Sequence, residues 1–492
     1  MYQFINGRAQ QGTAAHTHEV LNPATGEVVA TVDLASADDV DRAVVAARAA
    51  FAPWAHTAPA ERSTILHRFA SILTERAEEF ARVESSQTGK PLRLTRCFDV
   101  PGTIDNVEFF AGAARHLEGK ATGEYSPGHT SSIRREPIGV VGSIAPWNYP
   151  LQMAAWKILP AIAAGNTIVF KPAEITPLTS VMFAQALSDA GLPPGVVNVL
   201  VGTGPEAGAA LMRHEGVDMV SFTGSTAIGR TVMEAAAVNT KRVHLELGGK
   251  APFVVFEDAD VDAAVNGAVA GSLINSGQDC TAATRAIVHR SIYQEFVDKL
   301  ADRFRDIRLG LQDDDGADLG SLVSLKHREH VAGMIERARG YATVITGGEV
   351  PSEGVLARGA FYPPTLIIDA APDSEIVKDE VFGPVMVVLP FDDDDEAIRL
   401  ANDTVYGLAA SAWTSNVRRA LRATREINAG CVWVNDHIPM SSEMPHGGFK
   451  QSGFGKDMSS YSLDEYTQVK HVMFELSGRA EKEWHRTVFQ LR

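Results

Sequence analysis

The sequence predicts an α/β protein built on two largely parallel sheets, and three observations lead there. From residue 138 onward, short β-branched runs alternate with longer helical stretches, a pattern that requires crossover connections and strands covered on both faces. The alternation restarts just after the glycine pair Gly248-Gly249. Finally, 492 residues exceed what one ordinary core accommodates, so two or three domains are expected.

Taken in order, residues 38–55 and 59–88 space alanines and leucines helically among charges and predict two amphipathic surface helices. Residues 138–145 form an apolar strand stopped by Pro146, and 150–164 a helix with Gly165 as its C-cap. The series continues with strand 166–171, helix 177–190, strand 195–201, helix 204–213, strand 218–223, helix 225–237 and strand 242–247. A second series opens with strand 252–256, helix 261–274, strand 284–289 and helix 292–307, and runs to about Asn435. The tail at 466–476 alternates as a strand with no third sheet of its own, so it pairs outside the two main domains.

Composition narrows the function class. With 45 basic and 61 acidic residues the formal charge is −16, which repels nucleic acid and anionic membranes and leaves small cationic substrates unopposed. Three cysteines, Cys97, Cys280 and Cys431, are too few and too uneven for a disulfide framework and fit a reducing compartment. No basic region followed by an apolar stretch opens the chain, and the longest apolar region, 145–170, is broken by Asn148, Pro150, Lys157, Pro160 and Asn166. A cytoplasmic protein without secretory signal or membrane span is expected.

Several segments carry chemistry. Cys280 lies in Gly277-Gln278-Asp279-Cys280-Thr281, where small and polar neighbours suit an exposed nucleophile; Cys97, in a charged helical stretch, and Cys431, in an apolar run, read as packing residues. Glu246 ends an apolar strand before Gly248-Gly249, the place where α/β sheets put active-site groups, or else pairs with Lys250. Asn148 either caps a helix or aims its amide at a ligand oxygen. Lys171 and Glu174 end another strand and could meet ribose hydroxyls, and Phe222-Thr223-Gly224-Ser225 opens a helix whose N-terminus could hold a diphosphate. The segments 380–384 and 445–453 are loops, the second rich in glycine.

Together these segments resemble the aldehyde dehydrogenase superfamily. The matching blocks are Pro146-Trp147-Asn148, Lys171-Pro172-x-Glu174, Phe222-Thr223-Gly224-Ser225, Glu246-Leu247-Gly248-Gly249-Lys250, Gly277-Gln278-x-Cys280, Glu380-x-Phe382-Gly383-Pro384 and Gly447-Gly448-x-Lys450-x-Ser452-Gly453, in family order along nearly the whole chain. The resemblance implies a Rossmann-like NAD-binding domain (1–125 and 146–247), a catalytic domain (248–440) and a small β oligomerisation element (126–145 with 460–492) that bridges subunits into a homodimer or homotetramer. It implies Cys280 as the nucleophile, Glu246 as the base and Asn148, with the Cys280 backbone N–H, as the oxyanion hole. It assigns NAD to Trp147, Lys171, Glu174, Gly224, Ser225, Leu247, Glu380 and Phe382, with Glu174 repelling a 2′-phosphate. No metal is implied.

Among relatives the chain looks most like γ-aminobutyraldehyde dehydrogenases, through 277–283, 442–448, 455–459 and 128–131. Tyr149 and Trp156 match aromatic positions lining the entrance of aminoaldehyde and betaine aldehyde enzymes, and Asp279 joins them as a substrate-binding group. Ile274 and His446 stand where plant relatives carry tryptophan, which argues against betaine aldehyde more than against a primary amine. The 436–446 stretch holds Asp436 and Glu443 and no arginine, unlike what a succinic semialdehyde would need. Competing expectations are a CoA-acylating enzyme, which would not need Glu246, a thiol-dependent esterase, and an inactive structural homologue.

Overall fold

The computed structural model describes residues 3–490. An eight-stranded sheet runs in the order Gly453–Phe454, Arg242–Glu246, Met219–Thr223, Val140–Ile144, Thr167–Lys171, Val197–Val199, Gln3–Ile5 and Arg8–Gln10. Its five inner strands, Arg242–Glu246 through Val197–Val199, are parallel, and short antiparallel strands join at both edges. Val140–Ile144 and Thr167–Lys171 are buried throughout, as unbroken β-branched runs covered on both faces must be. Helix Pro150–Ala164 is buried at every residue, Lys157 included. That charge is tolerable because Lys157 Nζ lies 2.6 Å from the equally buried Asp457 carboxylate.

The second sheet has seven strands, in the order Thr343–Thr346, Thr365–Ile368, Val385–Phe391, Ala283–His289, Ala251–Val255, Ala409–Trp413 and Cys431–Val434. All neighbours are parallel except the Thr343–Thr346 edge. The chain leaves the first sheet at Glu246 and enters the second at Ala251, so the carboxyl ends of the first sheet's strands face the second domain, where open α/β sheets bind ligands. A third sheet pairs Thr467–Glu475 with His129–Pro137 over nine positions and adds Gly123–Ser126. Within the expected bridging span 126–145, Val140–Ile144 belongs to the eight-stranded sheet. Gly123–Ser126 lies in the small sheet rather than wholly with residues 1–125.

Two helical expectations change. The stretch 59–88 is two helices, Pro59–Glu75 and Ala77–Thr88, because Arg76 turns out of helical geometry at φ −102°, ψ 15°. The stretch 204–213 opens as a wide π turn, Gly204–Gly208, before Ala209–Arg213. Among the described residues no helix is long and apolar enough to cross a membrane.

Candidate active site

Cys280 follows a short helical turn, Ile274–Gly277, in which Asn275, Ser276 and Gly277 all take positive φ (49°, 56° and 70°). Two consecutive non-glycine residues in that region are costly and persist only when their surroundings hold them. Here they are held on several sides. Asn275 Nδ2 donates to the backbone oxygens of Asn148 (2.9 Å) and Gln278 (3.0 Å), Ser276 Oγ donates to Gly320 O, and Val323 N donates to Gln278 Oε1. Glycine is obligatory at two contacts: a Cβ on Gly277 would sit 2.1 Å from Gly383 O, and one on Gly249 would sit 2.1 Å from Cys280 O. Gly249 thus lets the Cys280 backbone lie against the domain junction.

Asn148 does not cap the helix behind it. Tyr149 occupies the cap position with no side-chain cap bond, and Asn148 Nδ2 donates to Gln278 O at 3.1 Å. Glu246 does not pair with Lys250 either. Its carboxyl is buried, with Oε1 lacking a protein partner. Burial first, and then the neighbouring Asp457, push its pKa well above the carboxylate range, against the pull of Lys157 and Lys456. Lys250 is instead pulled down to about 7 by burial, with Glu380 and Asp379 opposing. Burial and the carboxylates of Asp279, Glu246 and Glu380 also push the Cys280 thiol well above its ordinary value, so this thiol rests protonated until a base or a cation reaches it.

A cavity of about 250 Å³ gathers these groups. Of the sequence-predicted residues, Cys280, Glu246, Asn148, Trp147, Tyr149, Trp156, Gly224, Ser225, Leu247, Asp279, Glu380 and Phe382 line it. Lys171 and Glu174 stand outside it and face each other at 3.6 Å. Phe382 takes φ 57°, which carries its ring edge-on to Trp147 at 5.3 Å. Glu380 Oε1 accepts the Gly249 N–H at 2.8 Å, a contact that a Cβ on Gly248 would block at 2.3 Å. Burial raises the Glu380 carboxyl to about 7.

The groups along one side of the cavity fit a dinucleotide. Ser225 caps the twelve-residue helix Thr226–Ala237 by accepting from Ile228 N, which leaves its O–H free to donate to a phosphate at a positive helix end. The Thr223 hydroxyl beside it is buried without a protein partner.

The other side of the cavity is aromatic and acidic. Tyr149 donates its hydroxyl to Asp279 Oδ2 at 2.8 Å, and Asp279 Oδ1 accepts from Thr281 N and Oγ1. Trp156 packs on His446 at 5.0 Å. One face of the Tyr149 ring is taken: Lys90 Nζ, paired with Asp99, sits 3.9 Å from its centroid. Ile274 lines a separate depression with Cys97 and Leu273. Asp436 and Glu443 are exposed away from the cavity, whose acidic groups are Glu246, Asp279 and Glu380. Cys97 is exposed rather than packed. Phe98, Gln152, Met153 and Met440 also line the cavity and were not singled out from the sequence.

Comparison with known proteins agrees with this geometry. The model of the aldehyde dehydrogenase family matches residues 10–472. An aldehyde dehydrogenase from Bacillus cereus, solved as an NAD⁺ complex, is 43% identical, covers 97% of this chain and 96% of its own, and superposes at TM-score 0.94. PnpE from Pseudomonas sp. WBC-3 is 40% identical over 99% of both chains at TM-score 0.96. Betaine aldehyde dehydrogenase from Staphylococcus aureus, in complex with NAD⁺, is 37% identical over 97% of this chain and 95% of its own at TM-score 0.95.

Proposed function

The chain belongs to the aldehyde dehydrogenase family, and from that premise we propose that it oxidises an ω-aminoaldehyde such as 4-aminobutanal to the acid, with NAD⁺ as cofactor. NAD⁺ supplies the acceptor for the hydride released at the aldehyde carbon. Ser225 and the helix end behind Gly224 hold the diphosphate, Lys171 and Glu174 the adenosine ribose, and Glu380, Phe382, Trp147 and Leu247 the nicotinamide end.

Cys280 loses its proton through Glu246 to solvent before the attack, which leaves Glu246 ionised, and it then attacks the aldehyde carbon as thiolate. The alkoxide so formed accepts from the Asn148 amide and the Cys280 backbone N–H. Its collapse leaves a thioester. Glu246 then takes a proton from the water that attacks the thioester carbon, the C–S bond breaks, and the acid departs. A carboxyl whose pKa is raised by burial is a better proton acceptor once ionised than an exposed one.

One observation carries the substrate class: the cavity is walled by Tyr149, Trp156 and the carboxylate of Asp279, and no lysine or arginine lines it. An ammonium end group finds a counter-charge there, whereas the carboxylate of a semialdehyde finds none. NADH formation with 4-aminobutanal, 3-aminopropanal, betaine aldehyde, succinic semialdehyde and a plain alkanal tests this. The expected kcat/KM is at least tenfold higher for the aminoaldehydes, about 1.4 kcal/mol of amine recognition. A flat profile, or a preference for succinic semialdehyde, removes the aminoaldehyde assignment. The protein is also proposed to act as a dimer or tetramer through the small sheet, whose tail strand leaves Val469, Met473 and Phe474 exposed.

A further inference from the structure

At Glu246, three buried polar atoms converge without any protein partner: Glu246 Oε1, Asp457 Oδ1 and His244 Nε2. They lie within 4.8 Å of one another, with Nε2 at 3.8 Å from the Glu246 oxygen and 3.9 Å from the Asp457 oxygen. These separations are too long for direct hydrogen bonds and right for one bridging water. A dication is disfavoured there, since Lys157 Nζ lies 2.6 Å from Asp457 and the Lys456 ammonium also acts on Glu246.

The imidazole is held from behind. Tyr466 Oη lies 3.0 Å from Ser221 Oγ, which lies 3.0 Å from His244 Nδ1. The buried Tyr466 proton finds its acceptor in Ser221 Oγ, so the Ser221 proton goes to Nδ1 and the ring carries its own proton on Nε2. The ring edge also packs against backbone: a Cβ on Gly455 would meet His244 Cδ2 at 2.1 Å. Burial and the charges of Lys157, Lys456 and Arg242 keep the ring neutral.

We propose that His244 is a positioning residue for thioester hydrolysis: its Nε2–H anchors a buried water that turns one hydrogen to Glu246 and the other to Asp457. A neutral donor that cannot accept at Nε2 fixes the water's orientation, and a water donating to Glu246 favours the ionised carboxylate that hydrolysis needs. The charged and titratable groups facing this cluster are Lys157 from the buried helix, Asp457 and Lys456 from the C-terminal loop, Arg242 on the same strand, and Tyr466. The inference rests on the proposed role of Glu246.

The test separates thioester formation from hydrolysis in the full-length enzyme. In His244→Leu the pre-steady-state burst of NADH keeps its rate and amplitude. Hydrolysis after the burst moves its acid limb about one pH unit upward, so its rate below that limb falls about tenfold. His244→Gln, which restores an N–H donor, recovers most of the shift. Ser221→Ala, which frees the imidazole tautomer, shifts the limb in the same direction by a smaller amount, and it serves as the test if the leucine variant does not fold. An unchanged limb in the variants that fold overturns the role of His244. Glu246→Gln distinguishes the premise: if it gives a burst and then stalls while the His244 and Ser221 variants behave as wild type, only this inference fails; if it turns over steadily, the underlying role of Glu246 fails.

Discussion

Asn148→Ala separates chemistry from structure, because the two costs differ in size. The Asn148 amide donates to Gln278 O at 3.1 Å, but that carbonyl also accepts from Asn275 Nδ2 at 3.0 Å. The alanine variant therefore leaves no buried acceptor empty, and it removes an Oδ1 that has no protein partner. Its structural cost is about 1 kcal/mol. The Asn148 backbone oxygen, which Asn275 uses to hold the loop before Cys280, is untouched by the change. The catalytic cost is larger: loss of one oxyanion donor removes roughly 3–4 kcal/mol of transition-state stabilisation, about two to three orders of magnitude in rate. The assay is the rate of the NADH burst together with kcat/KM, with NAD⁺ affinity and the thermal midpoint measured in parallel. The expected result is a burst slowed several hundred-fold, with NAD⁺ affinity retained and the midpoint lowered by a few degrees at most. A loss below tenfold, or one that tracks lost cofactor binding, refutes the oxyanion role.

Three further outcomes follow from the same coordinates. Glu174→Gln removes a carboxylate paired at 3.6 Å with Lys171, and NADP⁺ use should rise roughly tenfold, ~1.4 kcal/mol, relative to NAD⁺; an unchanged kcat/KM ratio for the two cofactors counts against that ribose assignment. Burial raises Glu380 to about 7, so the carboxylate gains a proton as pH falls through that value, and NAD⁺ should bind more weakly at pH 6 than at pH 8. Calorimetric titration should show that dependence flattened in Glu380→Gln. Burial depresses His437 and His446 from 6.5 to about 4. Depressed histidines contribute stability that is complete above their unfolded pKa and is lost as pH falls from about 6.5 toward 4, on the order of 3 kcal/mol for each. His437, which bonds Ser411 Oγ and Thr281 O, is the cleaner test: His437→Gln should lose less of its thermal midpoint between pH 7 and pH 5 than wild type, and equal losses would exclude it as a source of acid sensitivity.

Much of the fold was legible because buried parallel strands write themselves as unbroken β-branched runs. The strands at 140–144, 167–171, 219–223 and 251–255 were read from that signal. What escaped was short or largely exposed: the hairpin Gln3–Ile5 with Arg8–Gln10, the pair Thr17–Leu21 and Val28–Asp33, and Gly453–Phe454. Edge strands of two to six residues with exposed faces carry too little apolar alternation to stand out from loop. The break at Arg76 escaped for a different reason, since neither glycine nor proline marks it and the apolar spacing continues across it.

At the site, sequence reasoning found the residues that sit in contiguous blocks and missed the layer that supports them. Yet two of the missed groups left a local signal. His244 lies two residues before Glu246 on one strand, and the period of two puts both on the same face, so a histidine there shares the surroundings of Glu246 whatever the rest of the fold. Lys157 sits inside an otherwise apolar helix, and a lysine is almost never fully buried without a partner, so that position already demanded a carboxylate from elsewhere. What no local pattern could supply was the partner itself: Asp457 is 300 residues away and reaches Lys157 only because the C-terminal loop folds back over the first sheet. The same holds for Tyr149. Its identity suggested an aromatic face for a cationic substrate, but one face of the ring is occupied by Lys90, which a buried ion pair with Asp99 holds in place. On the proposed aminoaldehyde reading, charge recognition in the cavity is assigned to Asp279, the carboxylate that Tyr149 holds in place.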